Sequence, residues 1–177
     1  IDYFFDQTTK INKLFIKLNF PRFNFRDIQK IFNNPGQPVN MFVSEAVDCA
    51  VRGEAFRMTE GTQRRDLVYV DDAIQAFIAA GQAPGIEGQI INVGSGEAYA
   101  LRDVAQMIWR MTGSTAPLLI GVRPAAVSEV HDTWADITVA RELLGWEPHV
   151  SLEAGLGAMI DWARNGLVAS ERECLTR

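Results

Sequence analysis

Apolar positions recur along the chain with two different periods, and their alternation lays out the fold. From Val39 to Val51 the residues Phe42, Val43, Ala46, Val47 and Ala50 fall three or four apart, one face of a helix that Gly53 stops. Ala55 to Met58 has the length and composition of a short strand leading into a turn at Gly61. Leu67, Val68, Tyr69 and Val70 read as a short buried strand. Asp71 and Asp72 follow it, placed to accept from the free N–H groups of a helix that runs from Ala73 to about Ala80 and ends before Gly81. Gln89-Ile90-Ile91-Asn92-Val93 has the pattern of another buried strand, followed by Gly94-Ser95-Gly96. Leu101, Val104, Ala105, Ile108 and Met111 mark one face of a helix closed by Gly113, and Ala116 to Ile120 is a strand with Arg123-Pro124 beginning the loop after it. Asp136 is positioned to cap a helix carrying Ile137, Ala140, Leu143 and Leu144, which Gly145 ends in the left-handed conformation. Ser151 caps a last helix with Leu152, Leu156, Met159 and Ile160 on or near its buried side, and past Gly166 the tail is polar. Strands alternating with helices predict an α/β fold with an at least partly parallel sheet.

The length of 177 residues suits one domain with a real core. A net charge of −5 argues against non-specific nucleic-acid binding, which needs a basic footprint. No apolar run approaches the roughly 20 residues of a membrane span, and no secretory leader pattern stands at the start. Cys49 and Cys174 lie far apart without metal-type spacing, as in a reduced cytoplasmic protein with incidental thiols, and Cys49 falls on the apolar side of its helix. His131 and His149 are isolated in loops, which disfavours a zinc site. Trp109, Trp146 and Trp162 read as core or edge packing.

Residues 1–34 change this picture. Lys10, Lys13, Lys17 and Lys30 are the chain's only lysines, Phe is crowded at positions 4, 5, 15, 20, 23, 25 and 32, and the stretch holds no Ala or Gly. These are the residues of AT-rich codons, so the segment reads as another reading frame, an assembly join or a recent fusion. The alternative is an amphipathic N-terminal helix with Leu14, Phe15 and Leu18 on one face. The expected organisation is therefore an atypical segment over 1–34, a body over 35–166 and a polar tail over 167–177.

The candidate chemistry centres on Arg64-Arg65-Asp66-Leu67-Val68-Tyr69-Val70-Asp71-Asp72-Ala73. Two guanidinium groups stand just upstream of a strand, where a loop can present them to an anion, and the Arg fork binds phosphate oxygens two at a time. Arg65 precedes one strand and Arg123 follows another, so both are expected at loop ends facing a shared cleft. Surface charge, or ion pairs with Asp66 or Glu129, is the plainer reading of both. Gly94-Ser95-Gly96 invites a dinucleotide-loop reading, but Tyr99 stands where the third Gly belongs, so a tight turn is expected instead. Asn92 and Asp72 have turn-stabilising and capping roles open to them as well as ligand contact.

In order along the chain, Pro35-Gly36-Gln37, Arg65-Asp66 through Asp72, Asn92-Val93-Gly94-Ser95-Gly96, Arg123-Pro124, the Asp136 to Pro148 run with Leu144-Gly145-Trp146, and Ser151-Leu152-Glu153 resemble the NAD-dependent epimerase/dehydratase family of extended short-chain dehydrogenases/reductases. The resemblance implies the C-terminal half of such an enzyme: an incomplete Rossmann-like α/β fold, the last strands of the cofactor sheet plus a small substrate-binding lobe. It implies that Arg65 and Arg123, with Asn92 at a third matching position, contact a nucleotide-diphosphate sugar, although Ala125-Ala126 replace the family's Gly-Asp after Arg123-Pro124. It also implies NAD for the complete enzyme, but not for this chain alone. The family's proton-transferring pair is Tyr-x-x-x-Lys, and Tyr3, Tyr69 and Tyr99 are followed four residues on by Gln7, Ala73 and Asp103. No catalytic residue is therefore assigned. Three readings stand: a fragment of a nucleotide-sugar epimerase or dehydratase, a non-catalytic sugar-nucleotide-binding module, and an inert truncated product. Apolar faces that would pack on the rest of the cofactor sheet favour aggregation or a homodimer. Sequencing the transcript across codons 30–40 is expected to expose a join near Pro35; one continuous message refutes that reading.

Overall fold

The computed structural model describes residues 42–125 and 130–166 in full, and 32–33 and 167–175 as backbone. Pro35-Gly36-Gln37, Glu129, the side chain of Cys174 and the proposed helix around Leu14 lie outside the described residues. The element order is β1 (Phe32–Asn33), α1 (Phe42–Arg52), β2 (Phe56–Arg57), β3 (Arg64–Arg65), β4 (Val68–Tyr69), α2 (Val70–Gln82), β5 (Tyr99–Ala100), α3 (Leu101–Thr112), β6 (Leu118–Leu119), β7 (Asp132–Thr133), α4 (Thr138–Leu144) and α5 (Leu152–Leu175). The predicted α/β class with parallel strands is what forms. β1 pairs with β4 and β2 with β6, both parallel, while β3 lies between antiparallel β5 and parallel β7.

The main core lies where the apolar faces of α1, α3 and α5 meet over β2. Val43, Ala46, Val47 and Ala50 of α1 pack with Val104, Ala105 and Ile108 of α3 and Leu156, Met159 and Ile160 of α5. Phe56 sits in their midst at 2 % exposure, edge-on to Phe42 with ring centroids 5.7 Å apart and tilted against Trp109 at 5.9 Å. Two smaller clusters join β4 to α2 through Val68, Val70, Ala73 and Ile74, and α2 to α4 through Ala76, Ile137, Ala140 and Trp146. The indole of Trp146 donates to the Asp72 carbonyl at 2.9 Å, so this ring is buried with its polar edge satisfied.

Several helix ends follow the sequence pattern. Gly145 is left-handed, with φ +60°, and its N–H closes α4 onto Arg141. Asp136 stands one residue before the α4 N-cap, which is Ile137 and makes no side-chain cap bond, and it accepts from both the N–H and the hydroxyl of Thr138, which holds its carboxyl below the usual range. Ser151 Oγ accepts from the N–H of Ala154 at 3.2 Å.

Others differ. α2 starts at Val70 with no side-chain cap, and runs through Gly81 to Gln82. Pro84 explains its end, because the residue before proline is driven out of the helical region, and Ala83 has ψ 128°. Asp71 and Asp72 lie inside the first turn, where burial and the neighbouring Asp72 charge push the Asp71 carboxyl upward. The buried strand expected over Gln89–Val93 does not form. Ile91 and Val93 turn inward onto the cluster around Ile137 and Trp146, but Ile90 points out at 86 % exposure, and among the described residues no strand pairs with the segment. Leu143 and Trp162 are also exposed, the latter at 46 %. Trp162 shares a side of α5 with Gly155 but lies two turns beyond it, past the Tyr69 ring that covers Gly155. The backbone of α5 is helical through Gly166 to Leu175, further than the pattern predicts.

Emptying the centre of the main core is expected to be costly. Phe56→Ala should lower unfolding free energy by about 3–5 kcal/mol and Ile108→Ala by about 2–5 kcal/mol, whereas Leu143→Ala should stay within about 0.5 kcal/mol. Denaturant titration of the three variants measures this.

Candidate functional site

The two arginines expected in a loop are themselves strand β3, the middle strand of the mixed sheet. Their alternation sends them to opposite faces. Arg64 is exposed, and its Nε and Nη2 donate to the Ala98 carbonyl at 3.2 and 2.8 Å. Arg65 is half-buried, with Nη1 donating to the carbonyls of Arg64 at 2.9 Å and His131 at 3.1 Å. Register places Tyr99 and Thr133 beside Arg65 on its face of the sheet.

Arg123 follows β6 in the other sheet. Its backbone N–H donates to the Met58 carbonyl at 3.2 Å, and its Nη2 meets Glu45 Oε1 of α1 at 3.3 Å. Of the ion-pair partners expected for the two arginines, Asp66 is turned to backbone amides and Glu129 lies outside the described residues; Arg123 pairs with Glu45. Arg65 and Arg123 are thus held by different sheets rather than by one pair of adjoining loop ends. Asn92 is exposed, and its Nδ2 donates to the Asp136 carbonyl at 3.4 Å. Asp72, 6 % exposed, is turned inward, where its carboxylate accepts the N–H of Val150 at 2.8 Å.

Asp66 is the residue that sequence reasoning missed. Its carboxylate accepts three backbone N–H groups: Ser95 at 2.6 Å, Gly96 at 3.2 Å and Ala135 at 3.0 Å. Gly94 permits this approach, since a Cβ there would lie 2.4 Å from Asp66 Oδ2 and 2.6 Å from the Ala135 Cβ. A short acidic side chain directly after a strand, and a Gly-rich turn 28 residues on, were the available signals.

This arrangement also tests the fit of a dinucleotide. In a cofactor loop, free backbone N–H groups cradle the pyrophosphate. Here the Ser95 and Gly96 amides are taken by a carboxylate, so the turn does not fit NAD. Tyr99 does not fit a proton shuttle either. Burial, with the hydrogen bond to Glu97 and the charges of Glu97 and Asp66, pushes its phenol up to about 12, the direction opposite to that required near neutral pH. Burial and the nearby Glu45, Glu54 and Asp48 likewise raise the Cys49 thiol, which packs against the main core. Among the described residues no His, Cys, Asp and Glu cluster is arranged to hold a metal ion, and no helix is long and apolar enough to cross a membrane.

The fold and the arginine strand define a class: an α/β protein with parallel strand pairs and guanidinium groups set at strand ends. Sequence and structure comparisons narrow it. The profile of the NAD dependent epimerase/dehydratase family matches residues 28–94, a span that begins within the compositionally distinct segment. A UDP-glucuronate 4-epimerase of Thermodesulfobacterium geofontis is 34% identical over 110 residues, 61% of this chain and 32% of that protein. UDP-glucuronic acid decarboxylase 5 of Arabidopsis thaliana is 30% identical over 75% of this chain and 39% of its own length. The crystal structure of UDP-glucuronic acid 4-epimerase from Bacillus cereus, in complex with UDP-glucuronic acid and NAD, superposes with a TM-score of 0.68 at 31% identity, over 74% of this chain and 42% of that one. The chain is similar to the NAD-dependent epimerase/dehydratase family over residues 28–94, and it spans about a third of the length of the curated relatives it matches.

The raised Tyr99 phenol carries a pH dependence. The folded state binds the phenolic proton up to about 12, whereas an unfolded tyrosine releases it near pH 10. Between these values the native state holds more protons, so this contribution is complete below pH 10 and is lost as pH rises through about 12. Tyrosinate absorbance of the folded chain should therefore show a late step that disappears in Tyr99→Phe, and the variant should lose less stability over that window.

Proposed function

We propose that this chain supplies the substrate-binding part of a nucleotide-sugar epimerase, dehydratase or decarboxylase, and that Arg65 and Arg123 bind the diphosphate of a UDP-sugar, with Asn92 at the margin of the same site. The observation that carries this reading is the placement of Arg65. It is a half-buried guanidinium on the central strand of a three-stranded sheet, in an Arg-Asp segment inside the family match. Tethering Nη1 to two main-chain carbonyls restricts the side chain before any ligand arrives, which lowers the ordering cost of binding. Arg123 is suited differently. Its partner Glu45 is a partly exposed carboxylate at 3.3 Å, and such pairs are worth about 0–1 kcal/mol, so a phosphate can displace it at small cost.

The similar enzymes support UDP as the nucleotide: the structurally matched epimerases hold UDP-glucuronic acid or UDP-glucose. The residues of this chain bind and orient by charge. Its sequence contains neither Gly-x-x-Gly-x-x-Gly nor Tyr-x-x-x-Lys, and hydride and proton transfer are assigned to none of its residues.

Calorimetric titration with UDP, UDP-glucuronate, a dTDP-sugar, a GDP-sugar and NAD tests the proposal. UDP compounds should bind and raise the melting temperature while NAD does not. Arg65→Ala should weaken UDP binding about tenfold or more, the value of a charged hydrogen bond. Absence of any UDP binding by the unaltered chain overturns the reading.

A further inference from the structure

We propose that Asp66 is the positioning residue for Arg65, a carboxylate clamp that fixes the guanidinium by locking two separate stretches of backbone, one on each side of β3. The inference adds a residue to the site above and rests on that reading only for its consequence in binding.

The need for a clamp follows from strand length. β3, β5 and β7 are each two residues long, so the sheet that carries Arg65 has few ladder hydrogen bonds to hold its register. The β3–β7 pairing is closed by Arg64 N–H to His131 O at 2.7 Å and Asp66 N–H to Thr133 O at 2.9 Å, one on each side of Arg65. The His131 carbonyl has a second task, accepting Arg65 Nη1. Any slip of β7 therefore moves the acceptor that orients Arg65.

The Asp66 side chain opposes such a slip at two places. By taking the N–H of Ala135 it pins the chain just beyond β7, and by taking those of Ser95 and Gly96 it pins the turn that feeds β5 on the other side. A carboxylate accepting from three amides makes charge-assisted bonds, stronger than those of the ladder it reinforces. Asp66 faces away from Arg65, since neighbouring strand residues alternate, so it acts through the backbone and touches no ligand of Arg65.

Asp66→Asn keeps the shape but turns an NH₂ toward amide donors. Gly94→Ala attacks the same clamp from the other side, its methyl displacing the carboxylate without a change at Asp66. Three measurements on the full chain decide the matter. Amide exchange at Ser95, Gly96 and Ala135 should accelerate in both variants while the amides of α1 and α3 keep their protection. The Arg65 Nε–H signal in nitrogen-15 spectra should lose its dispersed, slowly exchanging character. UDP affinity should fall about tenfold in Asp66→Asn, and the Arg65→Ala/Asp66→Asn double variant should bind no more weakly than Arg65→Ala alone. Additive losses in the double variant, or an unchanged Arg65 signal once the three amides have been released, overturn the proposal. Should the unaltered chain not bind UDP, the proposed function fails, and the exchange and Arg65 signals still decide the clamp. Should Asp66→Asn not fold, Gly94→Ala gives the same readings.

Discussion

Every strand among the described residues is two residues long, and this constraint shapes everything else. Ladder hydrogen bonds between such strands are too few to hold a sheet, and an isolated pair is marginal in water. The fold depends instead on carboxylates that reach across the chain to backbone amides, and on helices that bury the remaining apolar surface. Asp66 gathers amides 29, 30 and 69 residues away. Asp72 accepts from Val150, 78 residues on, while its own carbonyl accepts from Trp146. The second of these fixes the approach to α5, whose N-terminal half closes the main core.

That core gives the two candidate arginines different mechanical settings. Arg123 hangs from a backbone tied to Met58, itself 4 % exposed, so its Cα is well placed while its exposed side chain is held, among the described residues, only by the ion pair with Glu45. Arg65 has the reverse arrangement, with its guanidinium tethered to carbonyls and its strand dependent on the surrounding turns. One cation is placed by hydrophobic packing and the other by hydrogen bonding. Loss of core packing should reach Arg123 first, and loss of turn geometry should reach Arg65 first, because each inherits the weakness of what holds it.

What could be read from the sequence was what local periodicity encodes. The 3.6-residue pattern of Val43, Ala46, Val47 and Ala50 and that of Val104, Ala105 and Ile108 located α1 and α3, and Gly145 and Ser151 marked helix ends, because each signal lies within one or two turns of its effect. Gln89–Val93 was misread since a short apolar run shows only that a segment has side chains to bury. Pairing requires a neighbour, which that segment's own sequence does not report. Asp72 was misread for a related reason: position makes it a cap, but a half-buried amide at Val150 competes for the same oxygen and wins. Arg65 was found from its motif, its strand was taken for a loop, and the carboxylate that holds that strand in place was taken for an ion-pair partner.

Two groups that could move a proton, the Tyr99 phenol and the Cys49 thiol, are tuned away from that task. A proton-transfer group works best with its pKa near the operating pH, and here burial moves the Tyr99 phenol and the Cys49 thiol away from neutrality. Both carboxylate oxygens of Asp66 and the Oδ2 of Asp72 accept from main-chain N–H groups. Fixed positive charge remains, carried by guanidinium groups that keep their protons under all ordinary conditions. A sheet stitched together by carboxylates has one further consequence for such a site. Acidic groups stand beside both arginines, Asp66 next in sequence to Arg65 and Glu45 at 3.3 Å from Arg123, and their charge lowers the local attraction for an anion, so affinity must come from directed hydrogen bonds rather than from a general positive field. This fits a chain whose net charge is −5 and whose proposed ligand offers a diphosphate to such hydrogen bonds.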